Sequence, residues 1–194
     1  MKYRDAAIFE SAAYELSELL GIGRVPPVVE RHIDTTSGTV QIWMEGTRPE
    51  VELLKRKELH PPDVARWLQQ KQIMYLFDSL IANRDRNQGN ILIDHSWTLW
   101  FIDHTRAFMR FSELLYRDKL TACERDLWRS LREIDDGTLR QRLEPYLERQ
   151  EIAKLLTRRR KLVRHIQSLI DKNGEDAVLF DLRPPATEKA DWSD

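Results

Sequence analysis

The stretch HPPDVARWLQQKQIMYLFDSLIANRDRNQGNILIDHSWTLWFID (60–103) constrains the fold more than any other. Its first half reads as one long, mostly buried helix over 60–83, with Pro61–Pro62 at the start and Asp63 in the first turn. Two short apolar runs follow, ILID (91–94) and TLWFID (98–103), separated by the turn HSW, and these read as strands. Between helix and hairpin lies NRDRNQGN, which holds Asp85 and Asn90, while Asp103 closes the second apolar run. A carboxylate drawn into such surroundings is costly unless it meets a partner or a metal ion. This is where chemistry is expected.

The rest of the chain falls on either side of that block. AAIFESAAYELSELL (6–20) has Ile8, Ala12, Leu16, Leu19 and Leu20 at helical spacing, and Gly21, Gly23 and Pro26–Pro27 stop it. VVERHI (28–33) and TVQIWMEG (39–46) read as strands joined by the turn DTTSG. Helices are expected at about 110–117, 122–133, 137–147 and 149–172, closed by Asn173–Gly174, before a loose tail RPPATEKADWSD. The fold class is therefore α+β. The basic run RRRK (158–161) is expected on a solvated helix face, and the six tryptophans mostly in the core.

Composition excludes several classes. A net charge of −1 argues against general nucleic-acid binding. No run approaches the ~18 apolar residues of a spanning helix. The acids in MKYRDAAIFESAAYEL do not suit a signal peptide, and Cys123 is the one cysteine, so a cytoplasmic location is expected. His32, His60 and His165 are scattered without metal-ligand spacing.

Three readings of the polar loop compete. It can be a plain Asn/Asp/Gly turn. As a calcium loop it fits poorly: Asn83, Asp85, Asn87 and Asp94 fall on ligand places, but the glycine comes one residue late and the last ligand is Asp where Glu is expected. As a phosphoryl-transfer loop it fits well. Asp85 precedes Asn90 by five residues, and Asp103 follows a short hairpin. One carboxylate would take the acceptor hydroxyl's proton. The amide and the other carboxylate would offer the hard oxygen ligands that Mg²⁺ prefers. Asp94 and His95 read as turn formers, Asp78 as a residue that caps or pairs locally, and His104 as a packing or hydrogen-bonding neighbour of Asp103.

ANRDRNQGNILID…WFIDHTRAF resembles the catalytic and metal-binding segments of the atypical kinases, among them the phosphoinositide kinases with their DRxxxN loop and the secretory-pathway kinases related to the Golgi casein kinase. ESAAYELSELLGIGRVPPVVERHI is similar to the helix-and-strand segment of the secretory group. The resemblance covers roughly 8–108. It implies a protein-kinase-like fold with a truncated N-lobe over 1–46, a helical C-lobe over 47–183 and a flexible tail over 184–194. It implies Asp85 as catalytic base, Asn90 and Asp103 as metal ligands, and Glu10 as the helix glutamate that holds a phosphate-binding lysine. It makes 41–46 a hinge, with Glu45 and Gly46 beside the nucleotide, and gives Arg106 a supporting place near the phosphates.

ATP and Mg²⁺ or Mn²⁺ are the implied cofactors, and a hydroxyl on a protein or small molecule the implied acceptor. The nine residues before Glu10 contain no glycine, and Lys2 is too near to sit on a strand leading into the helix. The expected glycine-rich loop and lysine strand are thus missing from this sequence, which leaves open a piece of a longer protein, a late start or a reduced kinase fold. A nucleotide- or partner-binding pseudokinase is the alternative reading.

Overall fold

The computed structural model describes residues 6–56 and 60–185; Lys2 and the tail residues 186–194 lie outside them. Helix α1 (Ile8–Leu19) is followed by the antiparallel hairpin β1 (Val28–Ile33) and β2 (Thr36–Gln41). Strand β3 (Thr47–Pro49) then leads through the single turn α2 (Glu50–Leu53) to α3 (Val64–Ile81). Strands β4 (Ile91–Asp94) and β5 (Leu99–Phe101) form the second hairpin, and β3 adds to its edge in the order β3-β4-β5. The remainder is β6 (Cys123–Glu124), α4 (Arg125–Glu133), α5 (Asp136–Leu143), α6 (Arg149–Asn173), α7 (Glu175–Val178) and β7 (Leu179–Phe180), with β6 and β7 paired in parallel. The N-terminal lobe among the described residues consists of α1 and the β1–β2 hairpin.

Helix α3 is the central beam. Asp63 caps it by accepting from the Arg66 amide at 2.9 Å, and Leu76, Phe77, Asp78, Ser79, Leu80 and Ile81 are all buried. Its last turns are buried on every side and so carry no amphipathic stripe, while Val64 and Leu68 near its start are exposed. Its polar residues hold the second hairpin in place. Arg66 donates to the Trp97 carbonyl and the Thr98 hydroxyl, each at 3.0 Å. Gln70 donates to the Trp97 carbonyl at 2.9 Å and accepts from the Leu99 amide at 3.0 Å.

The long second strand expected over 39–46 ends at Gln41. Its partner strand is preceded by Pro26–Pro27, which have no N–H to extend the ladder; the last link is the Ile42 amide to the Pro27 carbonyl at 3.0 Å. The helix expected at 110–117 does not form, and only a short 3₁₀ turn at Arg117–Lys119 appears there. The run RRRK is not a solvated face throughout. Arg158 is fully buried and donates to the carbonyls of Leu80, Met109 and Phe111 at 2.8, 3.0 and 2.5 Å. Side-chain donors thus satisfy the 109–111 backbone that an intrahelical ladder would otherwise serve. Arg159 is also engaged, with Asp136 at 2.8 Å, and Arg160 remains largely exposed. Trp97 and Trp128 are core residues as expected, but Trp43 is 85% exposed.

Candidate active site

The polar loop begins where α3 ends. Ala82 adopts a left-handed conformation with φ 54°, and the amide of Asn83 returns to the Asp78 carbonyl at 2.9 Å. Asn83 is fully buried. Its amide nitrogen donates to Asp78 Oδ1 at 3.2 Å, and its Oδ1 accepts from the Asp85 amide at 3.0 Å. This places Asp85 at the first exposed bend. A buried Asn83 bonded to Asp78 is spent as a calcium ligand, which removes that reading.

Arg86 turns the other way, into the protein. Its Nε lies 3.0 Å from Asp78 Oδ2, its Nη1 donates to the carbonyls of both Asn90 and Ile102 at 2.7 Å, and its Nη2 reaches His104 Nε2 at 2.9 Å. One guanidinium therefore binds the end of the Asp85 loop to the segment that carries Asp103. Asp78 pairs locally, with Asn83 and Arg86, and is the fully buried counter-charge of this group.

His104 is fully buried and extends the chain to α1. Its backbone amide donates to Glu10 Oε1 at 2.5 Å, and its Nδ1 lies 3.0 Å from Glu10 Oε2. An arginine only donates and a carboxylate only accepts, so His104 donates from Nδ1 and accepts at Nε2. Both ring nitrogens are used. Glu10, read from sequence as the partner of a lysine, holds His104 with both oxygens. Burial pushes its carboxyl up, but the His104 ring and amide and the Arg86 charge outweigh that and hold it below the ordinary value of 4.5.

A depressed carboxyl contributes stability that is complete above its unfolded value and is lost as the pH falls through the folded one. Glu10→Gln is accordingly expected to cost about 1–3 kcal/mol near neutrality and to flatten the loss of stability below pH 4.5. Urea unfolding from pH 3 to 7 checks both, and a variant whose acid limb stays as steep as the parent's contradicts the assignment.

Asp85, Asn90 and Asp103 lie on the two segments that Arg86 joins. Asn90 donates its amide to the Asp85 carbonyl at 3.0 Å, which leaves Oδ1 as its remaining acceptor. Its own carbonyl takes the Ile102 amide at 3.2 Å, so Asp103 follows directly beside it. Asp103 is exposed, with φ at 57°, and accepts from the Thr105 hydroxyl at 3.1 Å. Asp tolerates this left-handed conformation better than most residues. Two oxygen-donor side chains at one edge suit Mg²⁺ or Mn²⁺, which take oxygen ligands and usually share them with phosphates and water. Among the described residues no three His, Cys, Asp or Glu side chains converge on a metal-binding position.

Arg106 stands across from Asp85, with Nη1 at 3.1 Å from Oδ2 and the two side chains 50% and 35% exposed. Behind this edge opens a cleft of about 780 Å³, lined among others by Met44, Gly46, Leu92, His95 and Ile102. Gly46 lines it, whereas Glu45 is exposed and does not. His104 packs and hydrogen-bonds as read from the sequence, but its partners, Glu10 and Arg86, were not foreseen.

No protein-family model and no curated protein matches the sequence. Solved structures do. The hydra Fam20 structure with sugar superposes with a TM-score of 0.70 at 15% identity, over 91% of this chain and 75% of that one. A Golgi casein kinase superposes with a TM-score of 0.64 at 16% identity, over 89% of this chain and 63% of that one. The fold is that of the secretory-pathway kinases.

The Golgi casein kinase with Mn/ADP bound gives a TM-score of 0.61 at 17% identity, again over 89% of this chain and 63% of that one. This kinase-like chain thus spans less than two thirds of either casein kinase structure. These neighbours lend no support to the phosphoinositide-kinase half of the resemblance. They also overturn the expected cytoplasmic location, because the neighbours of this fold are kinases of the Golgi and secretory pathway. Among the described residues no helix is long and apolar enough to cross a membrane.

Proposed function

We propose that this chain is a phosphotransferase that moves the terminal phosphoryl group of ATP to a hydroxyl on a protein or small molecule. The observation that carries the reading is the Arg86 guanidinium, which ties the Asp85–Asn90 loop and the Asp103 segment to one buried anchor at the edge of a large cleft. Asp85 would orient the acceptor hydroxyl and take its proton. Asn90 Oδ1 and the Asp103 carboxylate would hold a divalent cation, which when bound neutralises phosphate charge. Arg106 would exchange Asp85 for phosphate oxygens as substrate enters. The reaction needs alignment and charge neutralisation more than covalent help, and these are what two acids, an amide and a half-exposed arginine can supply. The casein kinase with Mn/ADP bound supports this choice of ligands.

One observation favours a second reading, binding without turnover. Both oxygens of Glu10 are engaged by His104, and among the described residues no lysine pairs with it. A nucleotide would then lose one phosphate contact.

ADP with Mn²⁺ at a hundredfold over its Kd should add about 2.7 kcal/mol, read as a rise of roughly 5–10 °C in Tm for a chain of this size. Asp103→Asn should remove the Mn²⁺-dependent part. No shift with either ATP or ADP would end both readings, and a shift without phosphate transfer to any hydroxyl acceptor would leave the second.

A further inference from the structure

The cleft has two chemically different ends. Gly89 and Ile102, the sequence neighbours of Asn90 and Asp103, line one. Strand β4 leaves Asn90 and reaches His95 five residues later, which at about 3.3 Å per residue is roughly 15 Å away, the reach of a nucleoside diphosphate from phosphate to base. At that far end the pairing of Thr47 with Asp94 sets Gly46 opposite His95. Gly46 has φ 66°, and a Cβ there would lie 3.1 and 3.2 Å from Cδ2 and Nε2 of the His95 ring. The ring therefore packs edge-on against the bare hinge backbone.

The turn that presents it is fixed. Asp94 Oδ1 accepts from the amides of Ser96 and Thr98 at 2.8 and 3.0 Å, and Oδ2 accepts from Trp100 Nε1 at 3.1 Å. The hinge is partly committed, because the Met44 carbonyl already accepts from the Thr47 hydroxyl at 2.7 Å. A base entering between Met44, Leu92 and Ile102 meets apolar side chains and, on the polar wall, the His95 imidazole.

We propose that His95 is a nucleoside-binding residue that meets the polar edge of the base, and that Gly46 is there to let it do so. This rests on the nucleotide-binding reading above. His95 was legible only as a turn former, yet its turn is held by a dedicated carboxylate and its ring lines the cleft.

The test uses two probes that share phosphates and differ in the base: ADP and inorganic tripolyphosphate, each with Mn²⁺, titrated calorimetrically into the full chain. His95→Ala should weaken ADP binding about three- to tenfold, the worth of one hydrogen bond, and leave tripolyphosphate binding unchanged. His95→Gln should recover part of the loss. Gly46→Ala should weaken ADP in the same way and add little on top of His95→Ala, because both act on one contact. Equal ADP affinity in parent and His95→Ala overturns the inference and leaves the nucleotide reading intact. Equal losses for both probes also overturn it, since damage to the fold as a whole is then the cause. If the parent binds neither probe, the nucleotide reading falls and takes this one with it.

Discussion

Asp78→Ala is expected to destabilise the fold by about 3–5 kcal/mol, because it strands a charge inside the protein. Asp78 is fully buried and Arg86 nearly so, with Nε 3.0 Å from Oδ2 and Nη2 3.0 Å from Oδ1. Removing the carboxylate leaves a guanidinium with two carbonyls and a histidine but no counter-charge. Asn83 loses its Oδ1 acceptor as well. For a chain of this size the loss corresponds to roughly 6–20 °C in Tm. Asp85→Ala, seven residues along, supplies the contrast. Its partner Arg106 is half exposed, and such pairs contribute about 0–1 kcal/mol. Urea unfolding of the two variants should separate them clearly, and similar midpoints would show that Asp78 is not the anchor of the loop.

The second large effect is on turnover. Asp85→Ala should lower phosphate transfer about 10²–10⁴-fold, the range for one positioned acid or base, while ADP and Mn²⁺ still bind. The geometry separates the two properties. The Asp85 carboxylate points to Arg106 at 3.1 Å, whereas Asn90 is held through the Asp85 backbone carbonyl, which alanine keeps. Initial rates with saturating ATP, set beside calorimetric Kd values, test this. A variant that transfers phosphate at the parent rate would remove Asp85 from the chemistry. A parent and variant equally inert while both bind nucleotide would favour binding without turnover.

What could be read from the residues, and what could not, follows from how far apart the interacting groups lie. The helix over 64–81 and the hairpin of β4 and β5 were legible because their signals are local, a cap and a turn, and a five-residue spacing brings Asn90 onto the Asp85 carbonyl. A buried carboxylate does need a partner, but the acids that the spacing marks are not the buried ones. Asp103 is exposed and Asp85 is 35% exposed, whereas Asp78 and Glu10 are buried. Glu10 meets His104 across 94 positions of sequence, and no periodicity reports a contact of that span.

Arg158 failed for the same reason. Within RRRK nothing marks the one arginine whose acceptors are the carbonyls of Leu80, Met109 and Phe111. The strand expected over 39–46 failed because Pro26–Pro27 on the partner, and not the residues of β2 themselves, set where pairing stops.

Helix α1 is fastened to the 104–105 segment twice, through the Glu10–His104 contacts and through the Ala6 amide to the Thr105 carbonyl at 3.0 Å, and Phe9 packs on Phe108 with ring centroids 5.5 Å apart. An on–off swing of this helix would have to break a carboxylate–imidazole contact and wet an aromatic pair in the same motion. Such a swing would leave the "off" position thinly populated. Control of a protein built this way falls instead on what reaches the cleft.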